Sequence, residues 1–394
     1  MKMRKINTAI ASRINRSFVL AQIYRHPLIS RAELANRTGL DRSAVTHILN
    51  HLIECGLVEE VKKGKAGARG GRCPIQLQVR YDAACLIAIE IGLGKLTCVI
   101  ANLEGRELAR DEMDIARGEP LLGILVRFLD PLRRRRRKLF QDAALIGITC
   151  PGVVDSAAGR MVFNIFHNWR GVDVASHLES RYGKPVFMEN DANAAAMGEL
   201  YKLGPAQQVH SLIYLFLRAS APGGPSLLGV GGAIILNGRL WPGAHFCAGE
   251  VSETVNAAFS HIMQQLRQRL EKSPGGMGAP QTLAELLRLG EQGHADCQWA
   301  LNEIAARIGQ LLGDFASFLD TQGVLVHVHP PEGTQSLVEK IREAFVRNYR
   351  LPGNGSVEFL PPQLGAKAVL EGIIRRALER VFIHDATQNS ILFP

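Results

Sequence analysis

The chain has 394 residues, is 46% hydrophobic and 21% charged, and carries a formal net charge of +9, a composition that suits two or three packed cores. No apolar run approaches the roughly 18–20 residues of a membrane helix, and the basic N-terminus has no apolar stretch behind it, so a signal peptide is not expected. Seven scattered cysteines (Cys55, Cys73, Cys85, Cys98, Cys150, Cys247 and Cys297) without a CxxC pair argue against a disulfide framework or a zinc knot and suit a reducing cytoplasm.

The excess charge is local. Residues 1–80 hold 15 Lys/Arg and 5 Asp/Glu, while the remainder holds 31 and 32. A basic module on a neutral body is the electrostatic footprint of a nucleic-acid-binding domain.

The first predicted helix runs over 14–26, with Ile14, Phe18, Val19 (or Leu20) and Ile23 at helical spacing, and stops at Pro27. Ser30 with Glu33 three residues on makes a capping box for a short second helix. Gly39 can take the left-handed conformation that ends it. Asp41 is placed to cap a third helix, whose apolar face is Val45, Ile48, Leu49, Leu52 and Ile53 and which ends at Gly56. Two short helices joined through Thr38-Gly39-Leu40 form a helix-turn-helix pattern. The polar face of its second helix carries Arg42, Ser43, Thr46, His47 and Asn50. In a major groove Arg bridges guanine, Asn bridges adenine, and Ser or Thr serves either role. The alternative is a helical hairpin with a solvated face.

The next segment favours DNA. Leu57 to Val61 reads as a strand, and Ile75, Leu77 and Val79 alternate as its return. Between them lies a Gly-rich tip with Lys62, Lys63, Lys65, Arg69 and Arg72. That is a wing, whose cations meet phosphates and whose Arg69 or Arg72 can enter a minor groove. A plain linker needs no alternating return strand.

Behind residue 84 the texture changes. Ala84 to Glu90, Leu96 to Asn102 and a third run after Arg106 read as a strand meander. A Leu- and Arg-rich helical stretch covers 119–140, and its run Arg133 to Lys138 reads as a solvated helix end. A buried strand from Leu145 leads into Cys150-Pro151-Gly152. A second half has strands over 212–217, 233–236 and 324–328, a turn at Asn237-Gly238, helical pieces over 254–319 and a helix over 367–381. Two α/β halves with glycine-rich turns suggest two lobes around a cleft.

Four motifs stand in order here: Glu189-Asn190-Asp191-Ala192-Asn193-Ala194-Ala195-Ala196, Cys150-Pro151-Gly152-Val153-Val154-Asp155, Gly231 to Gly238, and Gly243 followed by Ala248-Gly249-Glu250. Over residues 8–394 the chain resembles the ROK family (repressors, open reading frames and kinases), in its repressor branch. The resemblance implies an α/β chain. An N-terminal winged helix-turn-helix (1–80) precedes a bilobal actin-like, hexokinase-like (ribonuclease H-like) ATPase-type domain (81–394). Lobe one covers about 81–195 plus the C-terminal helix, and lobe two about 196–375.

The resemblance also implies that Asn190 hydrogen-bonds a sugar hydroxyl, that Asp191 is a vestigial general base, and that Glu250 holds further hydroxyls. Asp191 is equally placed to cap the Ala-rich helix that follows. The family's Asp-x-Gly-Gly-Thr phosphate loop stands here as Glu90-Ile91-Gly92-Leu93-Gly94-Lys95. Its late Gly-Gly turn is replaced by Val326 to Pro331, and Arg218 to Leu228 reads as an insertion. These departures predict loss of phosphoryl transfer before loss of sugar binding. The family's zinc cysteines are missing too, so no metal and no cofactor are expected. Glu253 stands where the family has a histidine: it can substitute as an acceptor, favour an amine-bearing ligand beside Glu250, or mark a site that takes no sugar. The expected partners are a double-stranded DNA operator and a sugar or sugar phosphate effector. A homodimer or dimer of dimers is expected, without a membrane. Rival readings are an active sugar kinase with a DNA-binding arm, and a regulator answering to a protein partner.

Overall fold

The computed structural model describes residues 8–63, 75–204, 209–219, 228–272, 278–329, 333–349 and 357–382. The wing tip with Lys65, Arg69 and Arg72, Cys73, most of the stretch read as an insertion, and Pro330-Pro331 lie outside the described residues, as do the side chains of Lys62, Lys63 and Glu253.

The head is built from α1 (Thr8–Arg25), β1 (Ile29–Ser30), α2 (Arg31–Thr38), α3 (Arg42–Glu54), β2 (Val58–Lys63) and β3 (Ile75–Val79), its strands forming one antiparallel sheet in the order β1-β3-β2. The capping box forms as expected: Glu33 N donates to Ser30 Oγ at 3.2 Å and Ser30 N donates to Glu33 Oε2 at 2.8 Å. Gly39 ends α2 at φ 69°. Two expectations need correction. Phe18 is 41% exposed, because Val19, Leu20 and Ile23 take the inward stripe of α1. Asp41 stands at the N-cap of α3, but its exposed side chain makes no capping hydrogen bond, so the first N–H groups of α3 face outward unsealed.

The body contains two five-stranded sheets. The first joins β4 (Cys85–Ile91), β5 (Lys95–Asn102), β6 (Glu107–Asp114), β7 (Ala143–Cys150) and β11 (Val186–Asn190) in the order β11-β7-β4-β5-β6. The second joins β12 (Leu212–Ala219), β13 (Leu228–Leu236), β14 (Arg239–Leu240), β15 (Gly323–His329) and β16 (Glu358–Leu360) in the order β14-β13-β12-β15-β16. The two orders are the same topology used twice: an antiparallel three-strand meander with two further strands added parallel to its first. That repeat is the ribonuclease H-like architecture, and it gives the body its two lobes.

The central strands are covered on both faces, so β4, β7 and β15 read as nearly continuous apolar runs, while the edge strand β6 is largely exposed and polar. In lobe one, Ile87, Ile89, Cys98, Ile100, Ile146 and Ile148 face α4 (Leu121–Arg135), α5 (Arg137–Asp142) and α6 (Val174–Tyr182). A small antiparallel sheet, β8 (Val153–Asp155), β9 (Arg160–Asn164) and β10 (Trp169–Asp173), extends that side. The opposite residues, Leu86, Ala88, Val99, Ala101 and Phe187, pack with α12 (Ala368–Phe382). Lobe two is backed by α8 (Ser252–Lys272), α9 (Leu283–Glu291), α10 (Ala295–Leu319) and α11 (Gln335–Asn348). Its other face packs on α7 (Asp191–Leu203).

The helices α7 and α12 cross with their backbones nearly touching. A Cβ at Gly372 would lie 1.7 Å from Ala194 O, and one at Gly198 would lie 2.7 Å from Ala368 O. Glycine at these points is a steric demand of the crossing. The helix α12 also meets the head: one apolar cluster runs from Val19, Leu34, Leu49 and Leu77 through Leu86 and Val99 to Ile373 and Phe382, and Tyr24 stacks on Phe382 at 4.1 Å.

Candidate functional site

On the head, α3 buries Val45, Ile48, Leu49 and Leu52. Its four apolar side chains anchor it on α1, α2 and the sheet, each contributing about 1.5–3 kcal/mol when fully buried. The five predicted base-reading residues, Arg42, Ser43, Thr46, His47 and Asn50, are all exposed on the other face. Thr46 Oγ1 donates back to Arg42 O at 2.8 Å, which leaves its hydroxyl an acceptor toward the outside. Polar contacts join the elements around it: Arg31 bonds Glu60 at 2.9 Å between α2 and β2, and Arg16 meets His51 at 2.8 Å between α1 and α3. Of the predicted wing cations, Arg69 and Arg72 lie outside the described residues.

In the body, the predicted effector residues gather where β11 turns into α7. Asn190, not Asp191, is the cap of α7. Asn190 Oδ1 accepts from Asn193 N at 3.0 Å, and its Nδ2 donates to Gly152 O at 2.9 Å. The sequence misplaces the cap by one residue because Asn and Asp cap equally well and only the tertiary contact with Gly152 selects between them. Gly152 itself is fixed by sterics. At φ 103° a Cβ would lie 2.4 Å from Phe163 O. Asn164 Nδ2 holds the neighbouring Pro151 O at 2.8 Å. Below this point, the buried carboxylate of Glu189 accepts from Asn190 N at 3.0 Å and from Asn193 Nδ2 at 3.1 Å, with Arg376 of α12 at 3.6 Å.

Asp191 is already engaged. Its Oδ1 accepts from Ala192 N at 2.9 Å and its Oδ2 accepts from Arg218 at 2.8 Å, with both side chains largely buried. Arg218 comes from β12, in the other lobe. The sequence reading passed over Arg218 as the start of an insertion; no local signal pairs it with a residue 27 positions away. Glu90, at the end of β4, faces the same pair. Burial, the largest cause, pushes its carboxyl up to about 7; the charge of Asp191 adds to this, while Arg218 and Arg110 oppose it.

Glu250 follows Gly249, which is pressed on Gly232 of β13: a Cβ there would lie 2.2 Å from Gly232 O. Glu250 lines a cavity of about 270 Å³ in lobe two together with Trp241, Cys247, Val251, Leu312 and Phe315. Desolvation first, and then the charge of Asp191, push the Glu250 carboxyl above its ordinary range. Glu250, whose residue is exposed, feels the charge of Asp191, and Asn190 adjoins Asp191 in the chain. For Glu253 only the backbone, in the first turn of α8, is described.

Two buried histidines were not singled out as ligands from sequence. His327 of β15 meets Tyr214 OH through Nδ1 at 2.7 Å, and burial pulls it down to about 4, so it stays neutral. His167 stacks on Trp169 at 4.3 Å beside the Gly92 turn, and burial lowers it as well. Among the described residues there is no group of three or more His, Cys, Asp or Glu side chains that could hold a metal ion. No helix among them is long and apolar enough to cross a membrane.

Comparison with known proteins agrees with this division. Residues 86–255 match the model of the ROK family, and residues 14–69 match that of the MarR family. The chain is 24% identical to the xylose repressor of Caldicellulosiruptor bescii over 93% of this chain and 96% of that protein. It superposes with a TM-score of 0.75 on a ROK family transcriptional regulator described as a homologue of the Escherichia coli Mlc protein, at 20% identity, covering 94% of this chain and 97% of that one. The fold of the body extends to kinases: a ROK family glucokinase from Streptomyces griseus, solved with glucose and AMPPNP, gives a TM-score of 0.53 at 22% identity over 74% of this chain and 99% of that one.

Proposed function

This chain carries a ROK-family domain behind a MarR-type winged helix, and from that premise we propose that it is a cytoplasmic DNA-binding transcriptional repressor of carbohydrate genes. The observation that carries this reading is the helix α3, with four buried apolar residues on one side and five exposed base-reading residues on the other. Arg42, Ser43, Thr46, His47 and Asn50 read base edges, and the wing cations Arg69 and Arg72 grip phosphates. The chain binds its operator as a homodimer or a dimer of dimers, with half-sites spaced by turns of the duplex. Residues 1–80 form the DNA-binding unit and 81–394 the sensing body.

The effector is a sugar or sugar derivative held by Asn190, Asp191, Glu250 and Glu253. Asn190 keeps one N–H and one lone pair beyond its structural bonds, enough for one hydroxyl. The body acts as a receptor and not a kinase. A general base must touch the attacking hydroxyl and be free to take its proton, and Asp191 is instead bound to Arg218 at 2.8 Å. The effector acts by binding one arrangement of the lobes better than the other, and α12, which touches α7, lobe one and the head, is the element placed to carry that difference.

The test is a pair of assays on the full chain: calorimetry with neutral pentoses, hexoses, amino sugars and sugar phosphates, and ATP-dependent phosphorylation of the same panel. Saturable binding without turnover is expected. Turnover that disappears in Asp191→Asn would instead make the body a kinase, and no binding across the panel would remove the sensing claim.

A further inference from the structure

The Arg218–Asp191 pair spans the two lobes. Arg218 lies near the end of β12, in the lobe-two sheet, while Asp191 follows β11 and Glu90 ends β4, both in the lobe-one sheet. The guanidinium donates to Asp191 Oδ2 at 2.8 Å and passes close to the turn after β4, where a Cβ at Gly92 would lie 4.0 Å from its terminal nitrogen. The side chains of Arg218 and Asp191 are 16% and 9% exposed, so the pair is shielded from the screening that weakens surface ion pairs. A buried cation beside a buried anion is tolerated because each cancels the other; removing either leaves an uncompensated charge.

Glu90 feels both members of the pair and Arg110 of β6, two strands away in the sheet, while Glu250 feels Asp191. The Arg218 charge is neutralised by Asp191, so the pair offers no free cation to whatever enters. An incoming phosphate would meet a guanidinium already neutralised by Asp191 at 2.8 Å. A hydroxyl or an ammonium would meet acceptors.

We propose that Arg218 is a positioning and specificity-determining residue: it ties the lobes together by holding Asp191 across the cleft, and by being cancelled there it makes the cleft take uncharged or amine-bearing sugars and turn phosphate groups away. Only the word sugar rests on the proposed function; the tie and the rejection of anions stand on the pair itself. The role is one of positioning, since Arg218 acts through Asp191.

The experiment uses the full chain and needs no effector. Hydrogen exchange is followed at residues 90–95 and 189–193 in the wild type, Arg218→Ala and Arg218→Lys. Exchange there is expected to be tenfold or more faster in Arg218→Ala, with the winged helix unchanged. Millimolar guanidinium chloride restores protection, the same concentration of sodium chloride does not, and Arg218→Lys is intermediate. In parallel, inorganic phosphate is titrated calorimetrically. The wild type is expected not to bind it at millimolar concentration. Asp191→Asn, which frees Arg218, gains phosphate binding that is lost again in the Asp191→Asn, Arg218→Ala double variant. Unchanged exchange in Arg218→Ala, or restoration by sodium chloride alone, overturns the tie. Phosphate binding by the wild type that disappears in Arg218→Ala overturns the specificity and marks Arg218 as an anion reader.

Discussion

The head and the cleft solve recognition in opposite ways. The proposed reading face of α3 is a row of exposed side chains on a helix whose other side is buried. The cleft is a set of mostly buried polar groups that pair with one another: Asn190 with Gly152, Asp191 with Arg218, Glu189 with Asn193 and Arg376. The first kind of site costs little to maintain, because water solvates its unused donors until DNA replaces it. The second must be paired internally when empty, because an orphaned buried polar group costs about 1–3 kcal/mol. Substitutions should therefore act on function in the head and on both function and stability in the cleft.

The largest expected effects are steric and test whether the two regions share one framework. Leu49 is fully buried in the head core, and Leu49→Ala is expected to cost about 2–5 kcal/mol in urea unfolding and to abolish DNA binding. Gly372→Ala should be of similar rank, about 1–3 kcal/mol or more, since the added methyl runs into the backbone of α7. If Gly372→Ala left stability intact, the tight α7–α12 crossing would not be the seam between the lobes.

Next come the contacts with DNA. Arg42→Ala is expected to lose about 1–3 kcal/mol at one base position and little elsewhere, measured by competition binding over single-base operator variants. Arg72→Ala should weaken all sequences alike and lower the salt slope by about one. Identical profiles for the two variants would erase the division between base reading and phosphate gripping.

The smallest effect is the most specific to the cleft. The Glu90 carboxyl is raised from 4.5 to about 7, so the folded state holds its proton more tightly than the unfolded one. Its contribution to stability is present below about 4.5 and is lost as pH rises through about 7. Buried His327 acts in the other direction: lowered from 6.5 to about 4, it contributes above about 6.5 and loses that contribution as pH falls through about 4. Glu90→Gln should therefore remove a falling component of at most about 1.4 kcal/mol per pH unit from the stability profile, checked by denaturation at pH 5, 6 and 7. An unchanged slope would mean that Glu90 is hydrated and ionised in the cleft.

The same contrast explains what could be read from the sequence. The head was legible because its signals are local: the Ser30–Glu33 box, Gly39 at φ 69° and the buried stripe of α3 all lie within a few residues of one another. The paired strands β4 and β5 and the turn at Asn237-Gly238 were legible for the same reason. The exposed position of Phe18 was not, since Val19 and Leu20 offer an equally good stripe and tertiary packing chooses between them. The small β8–β10 sheet and α6 were not singled out, and neither was α11, although Leu337, Ile341, Ala344 and Phe345 mark its buried face at helical spacing. In the cleft, the motif around Asn190 and Asp191 pointed to the proposed site. Its chemistry depends on Arg218 from another lobe and on Gly152, 38 residues from Asn190. Such pairings are set by topology.

The most direct test is fluorescence anisotropy of the full chain on duplex DNA from upstream of its own reading frame, across a salt series, with and without neutral sugars. A site bound more tightly than scrambled DNA, with affinity falling steeply in salt, is expected, and at least one sugar should shift that affinity fivefold or more, as a coupling of about 1–3 kcal/mol requires. Equal affinity for scrambled and upstream duplexes would contradict a sequence-reading head, and an affinity that no sugar moves would contradict a sensing body.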